Sequence, residues 1–236
     1  MMIEDIWVPE DKANYFSSEK YIDDLKKFYE NSLLQIRKGI IPKKCINGPL
    51  YRFVGEPINM PKIYKGSDWR SYFIREQGFA LLTEEWVKPL ARWIGDRPCL
   101  EIMCGNAYLS YALNKYGCNV KATDNFSWNK EFEKMGNIYP IENLDCVAAI
   151  EKYGNQVKFI ICSWPYMDNN AYKSLMKMRE VNSKCRMIYI GEDFGGCTAN
   201  EAFFNNIEEC YVNGFENAVA NYRNWQGIHD SIRLIK

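Results

Sequence analysis

The sequence has one histidine in 236 residues, no C-x-x-C pair and no internal repeat. Nine cysteines, an odd number, are scattered along the chain without regular spacing. Zinc sites require closely spaced cysteine and histidine ligands, and disulfide frameworks usually require paired cysteines. The pattern therefore predicts no metal site, free thiols and a reducing, cytoplasmic compartment.

Net charge is also absent, because 30 lysines and arginines balance 30 aspartates and glutamates. A nucleic-acid partner would need a local basic patch, since no overall attraction to phosphate exists. No apolar stretch approaches the length of a membrane span, and residues 1–9 carry two acids where a signal peptide is basic. We expect no membrane association. A hydrophobic content of 47% allows one sizeable core, alone or with a small cap.

The most informative stretch is Cys99–Asp124. It begins with an apolar run, Cys99–Met103, turns at a glycine, and ends with a second strand-like run, Asn119–Thr123. Between the runs lies an apolar stripe with the i, i+3, i+4, i+7 spacing of a helix. Strand, tight turn, helix and strand form one nucleotide-binding half of a doubly wound sheet. The residues of the stripe are Leu109, Ala112, Leu113 and Tyr116.

The turn in this unit predicts a ligand. Gly105 and Ala107 allow the backbone to approach a bound molecule, and the following helix offers free N–H groups at its positive end. Asp124, about twenty residues beyond Gly105, is placed to accept hydrogen bonds from two ribose hydroxyls. The unit therefore predicts a cofactor that contains adenosine. It lacks the G-x-G-x-x-G of dinucleotide-binding proteins.

The segment Leu100–Ser110 resembles motif I of the class I S-adenosylmethionine-dependent methyltransferases, which reads roughly L-D-x-G-C-G-x-G-x-L-S. The acid Glu101, the Cys-Gly pair and the final Leu-Ser match, whereas Met103 and Ala107 stand where the family usually has glycine. The resemblance implies S-adenosylmethionine as cofactor. The residues that it implies for cofactor binding are Glu101, Met103, Cys104, Gly105, Asn106, Ala107, Asp124, Asn125, Asp145 and Cys146.

Two of these residues have a second interpretation. In the family, an acid beyond the third strand faces the adenine amino group, and the next backbone N–H meets a ring nitrogen. Asp145 and Cys146 match that acid and that N–H by position. An aspartate at the start of a helix is equally favoured by capping, so the sequence supports both roles.

A second motif follows the apolar run Val157–Cys162. In open α/β sheets, ligands bind at the carboxyl ends of the strands, and this run predicts the fourth strand. It ends in Ser163-Trp164-Pro165-Tyr166, which resembles motif IV of the amino-group methyltransferases, D/N/S-P-P-Y/F/W, with Trp164 in place of the first proline. The resemblance implies methyl transfer to an exocyclic amino or amide nitrogen, with these four residues as the catalytic set.

Such a motif fits the chemistry of a planar amine. Ser163 Oγ and a backbone carbonyl can accept the two amino hydrogens and push the nitrogen toward tetrahedral geometry. Tyr166 or Trp164 can stack on the planar substrate, as in pockets that receive flipped bases. The transfer then needs mainly in-line positioning, without a strong base.

The order of elements predicts an α/β fold with a doubly wound, seven-stranded, Rossmann-like sheet. We expect residues 1–98 to form a helical N-terminal cap that covers the substrate, with an irregular loop over 39–66. Residues 99–236 are expected to form the S-adenosylmethionine-binding domain. Its predicted end is an antiparallel hairpin of Ala218–Tyr222 and Ile228–Ile235.

The acceptor stays open at this level. A nucleobase in RNA or DNA, a free small molecule and a protein amide all fit the two motifs. A protein that binds the cofactor without transferring methyl groups is an alternative, because Met103 and Trp164 replace residues that the family keeps. A nicotinamide enzyme is the weakest alternative and rests on fold analogy alone.

Overall fold

The computed structural model describes residues 19–43, 66–127, 138–225 and 227–236. The strands are β1 (Cys99–Ile102), β2 (Val120–Asp124), β3 (Ile141–Asn143), β4 (Phe159–Ser163), β5 (Arg186–Gly191) and β6 (Ser231–Ile235). The helices are α1 (Glu19–Arg37), α2 (Gly66–Gln77), α3 (Glu84–Ile94), α4 (Tyr108–Lys115), α5 (Cys146–Tyr153), α6 (Asn170–Val181), α7 (Glu201–Phe204) and α8 (Phe215–Val219).

The six strands form one sheet in the order β3-β2-β1-β4-β5-β6. β1 lies at the centre and pairs in parallel with β2 and β4, and only β6 runs antiparallel to its neighbour β5. Because the strand order reverses between β1 and β4, the carboxyl ends of these two strands open a crevice between their loops. The predicted doubly wound sheet and its first strand–helix–strand unit are confirmed.

The end of the chain differs from the prediction. Ala218 and Val219 belong to helix α8, so the expected first arm of the hairpin, Ala218–Tyr222, is wrong. Residues 208–210 run along the outer edge of β6 instead, with one isolated bridge between Glu209 and Ile235 and a hydrogen bond from Cys210 N to Leu234 O of 2.8 Å. The seventh strand is not confirmed in the described residues. Sequence alternation did not separate a short helix from a strand in this apolar segment.

Two hydrophobic clusters cover the two faces of the sheet. One cluster joins sheet residues such as Phe159 and Ile188 to helices α1, α2 and α3 through Ile36, Phe73 and Trp86, all of which are buried. The other cluster packs α5 and α6 against the opposite face. The described helices of the N-terminal region thus share one core with the sheet, and the boundary between 1–98 and 99–236 stays a prediction.

Helices α7 and α3 begin in different ways. Asn200 caps α7, because its side chain accepts a hydrogen bond from Phe203 N. The hydroxyl of Thr198, two residues earlier, contacts Tyr189 and the carbonyl of Glu192. Thr83 stands at the start of α3, but its side chain makes no capping hydrogen bond.

Some predictions lie outside the described residues. They concern residues 1–18 of the expected N-terminal cap and most of the 39–66 loop. Among the residues that the structure does describe, no helix has both the length and the apolar character to cross a bilayer.

Candidate functional site

A cavity of about 600 Å³ lies at the carboxyl ends of the central strands. It has the size of a typical small-molecule site. Of the predicted site residues, Asn106 and Ala107 do not line it. Those that do are Glu101, Met103, Cys104, Gly105, Asp124, Asn125, Asp145, Cys146, Ser163, Trp164, Pro165 and Tyr166. The fold therefore brings the residues that follow β1, β2, β3 and β4 to a single site.

The turn after β1 is tied to the end of β2. The backbone N–H of Gly105 donates to Asp124 Oδ2 at 2.8 Å, and Phe126 N donates to Asp124 Oδ1 at 2.6 Å. Burial raises the pKa of Asp124, and these two hydrogen bonds oppose the rise. A Cβ on Gly105 would meet nothing within 4 Å, so the backbone here borders open space in which a ligand can lie.

Three residues of the two motifs have left-handed backbone conformations. Met103 has φ of 53°, Ala107 of 57° and Trp164 of 51°. Such values cost about 1–2 kcal/mol for residues other than glycine. Met103 and Ala107 therefore adopt a backbone conformation that glycine takes without strain. The side chain of Met103 is accommodated by packing against the cluster around α5 and α6.

Glu101 is a buried carboxyl in the central strand, with 2% of its surface exposed. It accepts a short hydrogen bond from the hydroxyl of Ser110 on α4. Burial raises the pKa of Glu101 to about 7, against the lowering effect of the Ser110 contact. Glu101 thus links β1 to α4 beneath the cavity.

Asp145 caps α5, and its Oδ1 accepts from Val147 N at 3.0 Å and from Ala148 N at 3.1 Å. The capping role is therefore confirmed, while a contact of Asp145 with adenine stays a prediction.

Asn106 also has a structural role. Its Nδ2 donates to Glu76 O at 2.8 Å and fastens the end of α2 to the turn after β1.

The second motif forms the other end of the cavity. Trp164 is held on several sides: its backbone N donates to Ile190 O at 2.7 Å, and its Nε1 donates to Asp230 Oδ2 at 2.9 Å. Its ring stacks on Phe79, with 5.3 Å between centroids and 17° between planes. Tyr166, in contrast, is 58% exposed. Trp164 therefore builds a fixed wall, and Tyr166 lies at the cavity edge.

Two acids in the loop after β5, Glu192 and Asp193, do not line the cavity. Glu192 accepts from Cys197 N at 2.7 Å and from His229 N at 3.2 Å, so it fastens the loop after β5. Asp193 forms an ion pair with Arg233 at 3.3 Å. Both acids therefore have structural partners.

Helix α2 and the residues after it supply a part of the wall that sequence reasoning missed. The signal was present, because Arg70, Ile74 and Gln77 have the i, i+4, i+7 spacing of one helix face. All three line the cavity, together with Gly78, Phe79, Ala80 and Leu82.

The described residues hold no group of three or more His, Cys, Asp and Glu arranged to bind a metal ion.

No protein-family model matches the chain, and no curated protein matches it. Solved structures with a similar fold include TehB from Haemophilus influenzae, with 16% identity, a TM-score of 0.41, and coverage of 71% of this chain and 66% of that one. The chain thus spans just under two thirds of TehB.

Two further structures are similar to this chain. One is a SAM-dependent methyltransferase from Archaeoglobus fulgidus, with 14% identity, a TM-score of 0.43, and coverage of 71% and 99% of the two chains. The other is human N-acetylserotonin methyltransferase in complex with SAM, with 10% identity, a TM-score of 0.44, and coverage of 94% of this chain and 68% of that one. All three TM-scores lie below 0.5, so the fold assignment rests on the strand order and the pairing of this chain itself.

Proposed function

We propose that this protein is an S-adenosylmethionine-dependent methyltransferase that acts on a planar nitrogen. The observation that carries the proposal is the single cavity into which the two motifs open from neighbouring strands, β1 and β4. The bound cofactor would supply an electrophilic methyl group on a sulfonium.

The cofactor end of the cavity fits that group. Gly105 leaves open space beside its backbone, and Asp124 is fixed by two N–H donors with its carboxylate at the cavity wall. Asp124 would hold the ribose hydroxyls, and Asp145 and Cys146 would lie beside the adenine. The acids that line this end, Glu101 among them, also suit a cofactor with a positive charge.

The acceptor end fits a planar nitrogen. Ser163 ends β4 and lines the cavity, where its hydroxyl would accept one amino hydrogen of the substrate. Trp164 and Phe79 would pack against the planar substrate, and Tyr166 would cover it at the edge of the cavity. The chain's one histidine, His229, is not among the described residues that line the cavity, which suits a transfer without a strong base.

Calorimetric titration with S-adenosylmethionine and S-adenosylhomocysteine tests the proposal. We expect micromolar binding to the wild type and its loss in Asp124→Ala. Asp96→Ala is the matched control, because Asp96 is exposed and precedes the amino end of β1, at the opposite edge of the sheet. Absence of binding to the wild-type protein would refute the proposed cofactor.

The acceptor class needs a separate measurement. Formation of S-adenosylhomocysteine would be followed with a single-stranded oligonucleotide, with aromatic amines and with protein extracts as acceptors. Binding of an oligonucleotide that weakens with salt would support a nucleobase acceptor. Cofactor binding without turnover on any of these pools would favour the non-catalytic alternative.

A further inference from the structure

The cavity has one cationic side chain among the described residues that line it, Arg70 of α2. The acids that line it lie mainly at the cofactor end. Arg70 instead stands at the acceptor end, with its Cζ 5.3 Å from the ring centroid of Trp164 and 6.0 Å from that of Phe79. A guanidinium against an aromatic face is oriented by its attraction to the ring.

Within the part of the chain that the structure describes, the Arg70 guanidinium has no hydrogen-bonded or ion-paired partner of the kind that half-buried arginines usually have. Its Nε is buried without a hydrogen-bond partner, and no ion pair or hydrogen bond joins its guanidinium to another of the residues that the structure describes. Asp230 and Glu192 attract its charge, yet burial lowers the pKa of Arg70 by more than these acids raise it. Both carboxylates are already engaged, Asp230 by Trp164 and Glu192 by two backbone N–H groups.

Gln77, two turns along the same face of α2, shows the same feature. Its side chain is 2% exposed, and neither its amide nitrogen nor its amide oxygen has a hydrogen-bond partner within the described part of the chain. A buried polar group without a partner costs about 1–3 kcal/mol. Helix α2 thus presents two polar side chains to the cavity whose buried polar atoms have no partner among the described residues.

We propose that Arg70 is the anion-binding residue of the acceptor pocket, so that the methyl acceptor is a planar amine or amide that carries a carboxylate or phosphate group. That the bound anion belongs to a methyl acceptor rests on the proposed function. The anion site itself does not depend on it. Arg70 would bind the anion through its terminal nitrogens, since a guanidinium forms paired hydrogen bonds with carboxylate and phosphate oxygens. The aromatic pair Trp164–Phe79 places the planar part of the substrate beside that anion.

Nuclear magnetic resonance of the arginine side chains tests the anion site directly. The full-length protein, labelled with ¹⁵N-arginine, would be titrated with benzoate and with inorganic phosphate, and the Arg70 resonance assigned by its absence in Arg70→Lys. We expect a saturable shift of that resonance with benzoate or phosphate, and binding at least about tenfold weaker with neutral benzamide. Arg92, on the exposed side of α3, is the internal control.

Equal responses to benzoate and benzamide, or a shift of Arg70 no larger than that of Arg92, would overturn the proposal. Calorimetry with S-adenosylmethionine then identifies the source of the anion. An affinity unchanged within about twofold in Arg70→Gln supports the acceptor, whereas a tenfold loss would assign Arg70 to the cofactor carboxylate and overturn the inference. If the wild type binds no S-adenosylmethionine, the proposed function fails while the benzoate result still decides the anion site.

Discussion

The indole Nε1 of Trp164 donates a hydrogen bond to Asp230 Oδ2 at 2.9 Å, across 66 positions of the chain. Asp230 is 4% exposed and also accepts hydrogen bonds from the Tyr222 hydroxyl and from Asn224 Nδ2. A residue just before β6 thereby fixes the second position of the motif after β4. Three donors converge on one buried carboxylate.

Replacement of that carboxylate should be costly. In Asp230→Ala the three donors lose their acceptor, and we expect the free energy of unfolding to fall by about 3–5 kcal/mol. Urea denaturation measures the change. Asp193→Ala serves as the control, because Asp193 is exposed in its ion pair with Arg233 and should cost less than about 1 kcal/mol. Similar losses in the two variants would contradict the role given to Asp230.

Glu101 predicts a pH dependence of stability. Its pKa is raised by burial from 4.5 to about 7 in the folded protein. Between these values the folded state binds more protons than the unfolded state, so stability falls as the pH rises through this interval and levels off above it. The decrease should amount to roughly 3 kcal/mol.

Urea denaturation of the wild type and of Glu101→Gln, at several pH values between 4.5 and 8, checks this expectation. The amide has the shape of the carboxyl and does not titrate, so the variant should lose this part of the pH dependence. A curve as steep in the variant as in the wild type would show that other groups are responsible.

At position 107 we expect glycine to be tolerated without the usual loss of stability. The Ala107 φ of 57° lies in the region that glycine adopts without strain. Ala107→Gly should therefore leave the free energy of unfolding within about 0.5 kcal/mol of the wild type, or raise it. Ala112→Gly, five residues further along and inside α4, should lower it by about 1 kcal/mol or more. Equal losses at both positions, measured by urea denaturation, would argue against strain at Ala107.

At Gln77 we expect one substitution to raise the stability of the fold and to weaken binding of the acceptor. Gln77→Leu removes a buried amide that has no hydrogen-bond partner among the described residues, so we expect the free energy of unfolding to rise by about 1 kcal/mol. Thr83→Val is the matched control, since the Thr83 hydroxyl is also buried and has no partner among the described residues, but Thr83 does not line the cavity. Both variants should melt at a higher temperature.

Only Gln77→Leu should then alter the cavity. Once an acceptor is known, its KM should rise in Gln77→Leu and stay unchanged in Thr83→Val. A stabilised Gln77→Leu with an unchanged KM would mean that the amide does not meet the acceptor.

The sequence itself predicted the central unit of this fold. The run Cys99–Met103, the turn at Gly105 and the helical stripe are local patterns, and each depends on backbone periodicity or on one glycine within a few residues. The motif Ser163–Tyr166 was found for the same reason, because it directly follows an apolar strand. The parallel sheet then brings these segments together at the ends of its strands, as the general rule for such sheets requires.

The tertiary structure decided what joins segments far apart in the chain. Helical spacing places Arg70 and Gln77 on one face of α2, but the sequence does not show that this face lines the cavity. Nor does it show that Asp230 binds Trp164, since such contacts depend on how helices and loops pack across the sheet. The apolar segment Ala218–Tyr222 was mistaken for a strand because its few residues fit either period, and packing on the core selected the helix. Local periodicity thus determined the strands and motifs, while the distribution of buried apolar surface decided which distant side chains meet at the site.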